Sequence, residues 1–139
     1  MGEKTKVVID TNIFISGFGW NGKPKEVLNL LEDGFIANFA TTETFEEIRK
    51  VVSYPRLKFP TSLQIKIIEF AFSYSRFVDP GKTVSLIKED PEDNRFLECA
   101  VSARADFIIT GDPHLLKVGN FMDIRITTAA QFLKSRTKK

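Results

Sequence analysis

Lys6-Val7-Val8-Ile9-Asp10-Thr11-Asn12 near one end of the chain and Asp106-Phe107-Ile108-Ile109-Thr110-Gly111-Asp112 near the other share one design, a short apolar run closed by an acidic residue. Neither run alternates apolar with polar side chains, the pattern expected of central strands covered on both faces. Working outward, β-branched segments alternate with helical ones. Lys6 to Ile9, Phe35 to Phe39, Arg76 to Val78, Asp106 to Thr110 and Asp123 to Ile126 read as short strands. One helix follows Pro24, carries Val27, Leu28, Leu30 and Leu31 on one side, and stops at Gly34, a residue suited to the left-handed conformation that ends helices. A second carries Phe45, Ile48, Val51 and Val52 on one stripe and must end by Tyr54, because Pro55 disfavours helical geometry in the residue before it. Leu63 to Ser73 forms a third. The stretch Leu63 to Tyr74 is apolar around most of its circumference, which fits a deeply buried helix or a self-association surface, burial being the commoner reason. This alternation predicts an α/β domain with a mostly parallel central sheet of about five strands, binding its ligand outside the carboxyl ends of the strands. Asp10 and Asp112 occupy two such ends.

The 139 residues fit a single domain over residues 1–133 with a basic tail at 134–139, and 42% hydrophobic content is ample for a core. Twenty basic against 18 acidic residues leave a net charge of +2, so contact with RNA or DNA must be local rather than a matter of bulk charge. The tail residues Lys134, Arg136, Lys138 and Lys139 read chiefly as a solvated terminus. Cys99 is the only cysteine, which excludes a disulfide framework and a cysteine-based zinc set and suggests a small buried hydrophobe. The beginning of the sequence lacks the long apolar region of a signal peptide, and no stretch approaches transmembrane length, so a cytoplasmic location without membrane contact is expected.

Four acidic residues, Asp10, Glu47, Asp93 and Asp112, fall where four separate segments end or begin. Each has a local reading. Asp10 can cap the turn after the first strand, and Asp112 before Pro113 suits a helix cap. Asp90, with Pro91 behind it and Asp93 three positions on, resembles a capping box and is assigned to structure. Asp93 shares an azimuth with Leu97 and Ala100 at about 100° per residue. It therefore faces the sheet, where a carboxylate is costly to bury unless paired or bound to a cation. Of three glutamates on the earlier helix, Glu47 lies nearest the apolar stripe, about 40° from Val51. Glu46 points well away and Glu43 lies further outside. Carboxylates gathered in one cleft either share protons or hold a hard cation such as Mg2+ or Mn2+, and the second option implies phosphate chemistry.

In order and spacing these blocks resemble a PIN domain, specifically the small single-domain type that serves as the toxin in many toxin-antitoxin pairs. Val8-Ile9-Asp10-Thr11-Asn12-Ile13-Phe14 is similar to that family's opening strand and first acid, Glu47 matches the second, and Asp90 to Leu97 and Ala105 to Asp112 look like the third and fourth blocks. The resemblance covers almost the whole chain. It implies a three-layer α/β/α sandwich and a metal-dependent ribonuclease using Mg2+ or Mn2+, with Asp10, Glu47, Asp93 and Asp112 as the acidic set. Asn12 and Thr110 would support it, and Asp90 or Asp93 would serve as the closer ligand from the third block, with Asp93 favoured by azimuth. An RNA substrate, a cognate antitoxin that blocks the cleft, and a homodimer of the kind common among relatives belong to the same implication.

Two other readings compete. Gly17-Phe18-Gly19-Trp20-Asn21-Gly22 formally matches a dinucleotide fingerprint, but those glycines belong in the tight turn at a strand's end, and this strand stops near Asp10. A flexible Gly-rich loop is the plainer expectation, with Trp20 as an aromatic lid over the core rather than an RNA contact. His114 reads as an exposed surface group. The second alternative is a catalytically silent domain kept for binding RNA or protein, its acids solvated or capping.

Overall fold

The computed structural model describes residues 4–80 and 94–137. Its elements run β1 (Thr5–Ile9), α1 (Thr11–Gly19), α2 (Lys23–Glu32), β2 (Ile36–Ala40), α3 (Thr42–Val52), a 3-10 turn (Pro55–Leu57), α4 (Thr61–Ser73), β3 (Ser75–Phe77), α5 (Asn94–Ala103), β4 (Phe107–Ile109), α6 (Pro113–Val118), β5 (Asn120–Phe121), β6 (Ile124–Thr127) and α7 (Ala129–Thr137). The sheet order is β3-β2-β1-β4-β6-β5, with every pairing parallel except that of β5 with β6. Each strand read from the sequence is present to within a residue or two at its ends. The sixth strand, β5, is two residues long and pairs across the turn at Met122 and Asp123.

β1 and β4 are central, and successive side chains point to opposite faces, as the pleat requires. Val7, Ile9, Ile36 and Ile109 meet α1, α2, α3, α4 and α7 on one face, where Phe14, Val27, Ile67 and Phe132 are fully buried. Val8, Ile108 and Ile126 meet α5 and α6 on the other, against Phe96, Leu97, Ala100 and Leu115. These are the three layers of an α/β/α sandwich, and Cys99 is buried in the second core. Burial pushes its thiol pKa up to about 12.

Two expectations about local structure are corrected. Residues 11–19 form a helix, whereas the glycine-rich part of that segment reads in sequence as a flexible loop. β-branched residues and glycines give the segment poor helix propensity. What makes it helical is burial: Ile13, Phe14, Ile15 and Gly17 are enclosed, and Asp10 caps the first turn. Gly17 is a packing residue, since a Cβ there would overlap Leu28 Cδ1 of α2 and lie 3.3 Å from the Pro24 carbonyl. Gly17 therefore spaces α1 from α2, and the glycines of the apparent fingerprint lie within and just beyond α1 rather than in the turn at the strand's end. Helix α4 is also less buried than its apolar sequence suggests. Ile67 and Ala71 are its enclosed residues, while Ile65 and Phe72 are exposed, because a helix in an outer layer near the edge strand is covered on one side.

Candidate active site

β1 and β4 lie side by side, and their carboxyl ends deliver Asp10 and Asp112 to the same mouth. The backbone fixes this junction, because Asp10 N donates to Ile109 O at 3.0 Å and Thr110 N to Thr127 O at 2.9 Å. Thr110, fully buried, ties the two acids together. Its Oγ1 donates to Asp10 Oδ2 at 2.5 Å and accepts from Asp112 N at 2.9 Å. Asp10 Oδ1 accepts from Thr11 N at 2.6 Å. Asn12 spans the same gap from the outside, its Nδ2 3.4 Å from Asp10 Oδ2 and its Oδ1 accepting from Gly111 N at 3.3 Å.

The third acid arrives from α3, whose start is fixed by reciprocal capping bonds between Thr41 and Thr44. One turn on, Glu47 Oε1 accepts from Thr11 Oγ1 at 2.7 Å, so the residue after Asp10 anchors the glutamate to the strand end. Glu46 is exposed and pairs with Arg49, and Glu43 is exposed, in keeping with their azimuths. Asp112 caps α6 by accepting from His114 N at 2.8 Å, and exposed His114 places its Nδ1 3.5 Å from the same carboxylate oxygen. Asp90 and Asp93 lie outside the described residues. Asp10, Glu47 and Asp112 share a cleft of about 390 Å³ with Asn12, Trp20 and Arg56.

Asp10 is electrostatically uncomfortable in this setting. Burial raises its pKa from 3.8 to about 7, with the charges of Glu47 and Asp112 adding to the rise and the bonds from Thr110 and Thr11 opposing it. Near neutral pH its charge is thus poised to respond to any cation that enters.

With that arrangement in view, the comparison with known families is decisive: residues 6–114 match the PIN domain. The chain belongs to the PIN domain family. It is also 29% identical over 148 aligned positions to an uncharacterized protein of Methanocaldococcus jannaschii, the match covering 97% of this chain and 94% of that protein. PIN domains are generally nucleases, and they typically use divalent metal ions. In this PIN domain the donor chemistry suits such an ion: the acids are hard oxygen donors, and burial with neighbouring negative charge makes Asp10 costly to ionise unless a cation compensates. Among the described residues, no group of three His, Cys, Asp or Glu side chains is gathered closely enough to hold an ion. No helix among them is long and apolar enough to cross a membrane.

Two contributors to this PIN domain's cleft escape sequence reasoning. Thr11 lies inside the opening motif, yet nothing in spacing reveals that its hydroxyl reaches a residue 36 positions away. Arg56 follows a helix-ending proline, and its place beside the acids depends on how the turn at Pro55–Leu57 folds back.

Proposed function

We propose that this PIN domain is a metal-dependent endoribonuclease that hydrolyses phosphodiester bonds of RNA, acting in the cytoplasm as the toxin of a toxin-antitoxin pair. The observation that carries the reading is the convergence of Asp10, Glu47 and Asp112 on one cleft at the carboxyl end of the sheet, with Asp10 raised to about 7. Asp10 and Asp112, with Glu47 and with Asp93 or Asp90 from the third acidic block, would hold Mg2+ or Mn2+. A divalent ion there supplies charge neutralisation for the phosphate and makes water a better nucleophile. The chain's own groups hold the geometry. Thr110 keeps the Asp10 carboxylate in one rotamer and lowers its proton affinity, while Thr11 keeps Glu47 over the cleft. Asn12 braces the Gly111 backbone that carries Asp112.

An antitoxin blocking this cleft and pairing of two copies complete the proposal. The exposed aromatic cluster of Phe72 and Phe77 around Phe45, with ring centroids 5.7 to 5.8 Å apart, supports an apolar protein contact. The enzymatic proposal is tested by cleavage of a labelled single-stranded RNA in Mn2+, Mg2+ or chelator, beside an Asp10→Asn protein prepared identically. Metal-dependent cutting that Asp10→Asn loses is the expected result. Equal cutting by both would mean a contaminating nuclease, and metal binding without cutting would support a silent binding domain.

A further inference from the structure

Two residues of the cleft have no part in holding a metal. Trp20 directly follows α1, its backbone N donating to Ser16 O at 3.0 Å, and its side chain is 59% exposed. It does not lie over the core as a lid. The indole leans on Phe59 at 6.2 Å between ring centroids, tilted by 50°. Gly19 makes room for that support, since a Cβ there would lie 3.1 Å from Phe59 Cζ. A large ring left in water, propped from behind and facing a cleft, presents a rigid flat surface at little ordering cost. Arg56 is exposed, its guanidinium 5.6 Å from the Tyr54 ring, and it pairs with no carboxylate among the described residues. The cleft thus joins an acidic floor to a rim holding one aromatic face and one cation.

We infer that Trp20 and Arg56 hold the nucleotide that flanks the scissile phosphate: Arg56 binds a neighbouring backbone phosphate, and Trp20 stacks on an unpaired base. The inference rests on the nuclease reading of the same cleft. A base inside a duplex is already stacked on its neighbours, so an exposed indole selects unpaired strands. A planar guanidinium suits bidentate contact with phosphate, and the tyrosine beneath it limits its freedom.

Because Trp20 is the only tryptophan, its fluorescence reports directly on the site. The probe is a short unpaired oligoribonucleotide, titrated into Asp10→Asn protein with Mn2+ so that it is not consumed. Saturable quenching is expected, with none from a blunt duplex of the same sequence. With a labelled oligonucleotide, adding Trp20→Leu should weaken binding by roughly 5- to 150-fold, the range typical of a lost base-stacking partner. Adding Arg56→Gln should weaken it and reduce the salt slope by about 1. In the otherwise wild-type protein both changes should raise KM with little loss of kcat. RNA cleavage whose KM neither change alters, with Trp20 emission unmoved when the unpaired oligoribonucleotide is added, would overturn this inference alone. A parent protein that neither binds nor cuts RNA would overturn the nuclease reading and this inference with it.

Discussion

The floor and the rim of the cleft are built by opposite means. At the floor, every polar atom of Asp10 and Thr110 that could wander is tied to backbone or to another side chain, and the strand pairing of β1 with β4 sets their separation. At the rim, Trp20 and Arg56 are exposed, and each rests on a single aromatic ring. The difference separates two tasks. Fixed carboxylates suit an ion with strict demands on its oxygen donors, whereas flat or flexible exposed groups suit a polymer whose sequence varies. Changes at the floor should therefore alter turnover, stability and pH dependence, and changes at the rim should alter substrate affinity.

Asp10→Asn should break the floor most completely, lowering metal-dependent cleavage by more than about 10²-fold, beyond the range usual for outer-shell partners. The same change should improve the stability of metal-free protein at neutral and higher pH. Because the folded pKa of Asp10, about 7, exceeds the ordinary 3.8, both folded and unfolded chains carry the proton in acid, and no penalty arises there. As pH rises from about 4 to 7 the unfolded chain alone gives up that proton. The folded state loses stability until Asp10 also ionises, by an upper bound on the order of 4 kcal/mol. Chemical denaturation across this range should show that loss in the metal-free native protein and its absence in Asp10→Asn. A constant difference between the two at every pH would break the assignment.

Thr110→Val comes next. It keeps the volume of a fully buried side chain but removes the bond that lowers the Asp10 pKa and the acceptor for Asp112 N. Activity should fall about 10- to 100-fold, and the acid limb of the pH-rate profile should move to higher pH. Glu47 offers a finer cut within the floor. Thr11→Val, which removes the hydroxyl donated to Glu47, should lower kcat by a smaller factor than Thr110→Val, since Thr11 N still bonds Asp10. The smallest effects on turnover belong to the rim, where Arg56→Gln should leave kcat within about 3-fold while raising KM. A large fall in kcat there would erase the distinction between floor and rim.

Much of the floor was legible because period and position carry it. Apolar runs without alternation marked β1 and β4 as central strands, so the residues that close them had to sit at the same edge. The azimuth of Glu47 separated it from Glu46 on the same helix, and the two now differ in exposure and partners. Helix α1 was not legible, because its β-branched residues and glycines argue against a helix, and only contact with α2 and the sheet outweighs them. The rim stayed hidden for the same reason. Trp20 gained its position from α1, Arg56 gained its from a 3-10 turn, and neither position has a periodic signature. Asp93 and Asp90, whose azimuth and capping pattern were read from sequence, fall outside the described residues.

Whether the acidic floor is a metal centre is decided by melting metal-free protein during a Mn2+ titration at about pH 8, with native and Asp10→Asn proteins side by side. The native protein should gain stability with Mn2+ in the saturable way that ligand linkage requires, and Asp10→Asn should start higher and gain little. Equal gains in both proteins, or none in either, would contradict the account.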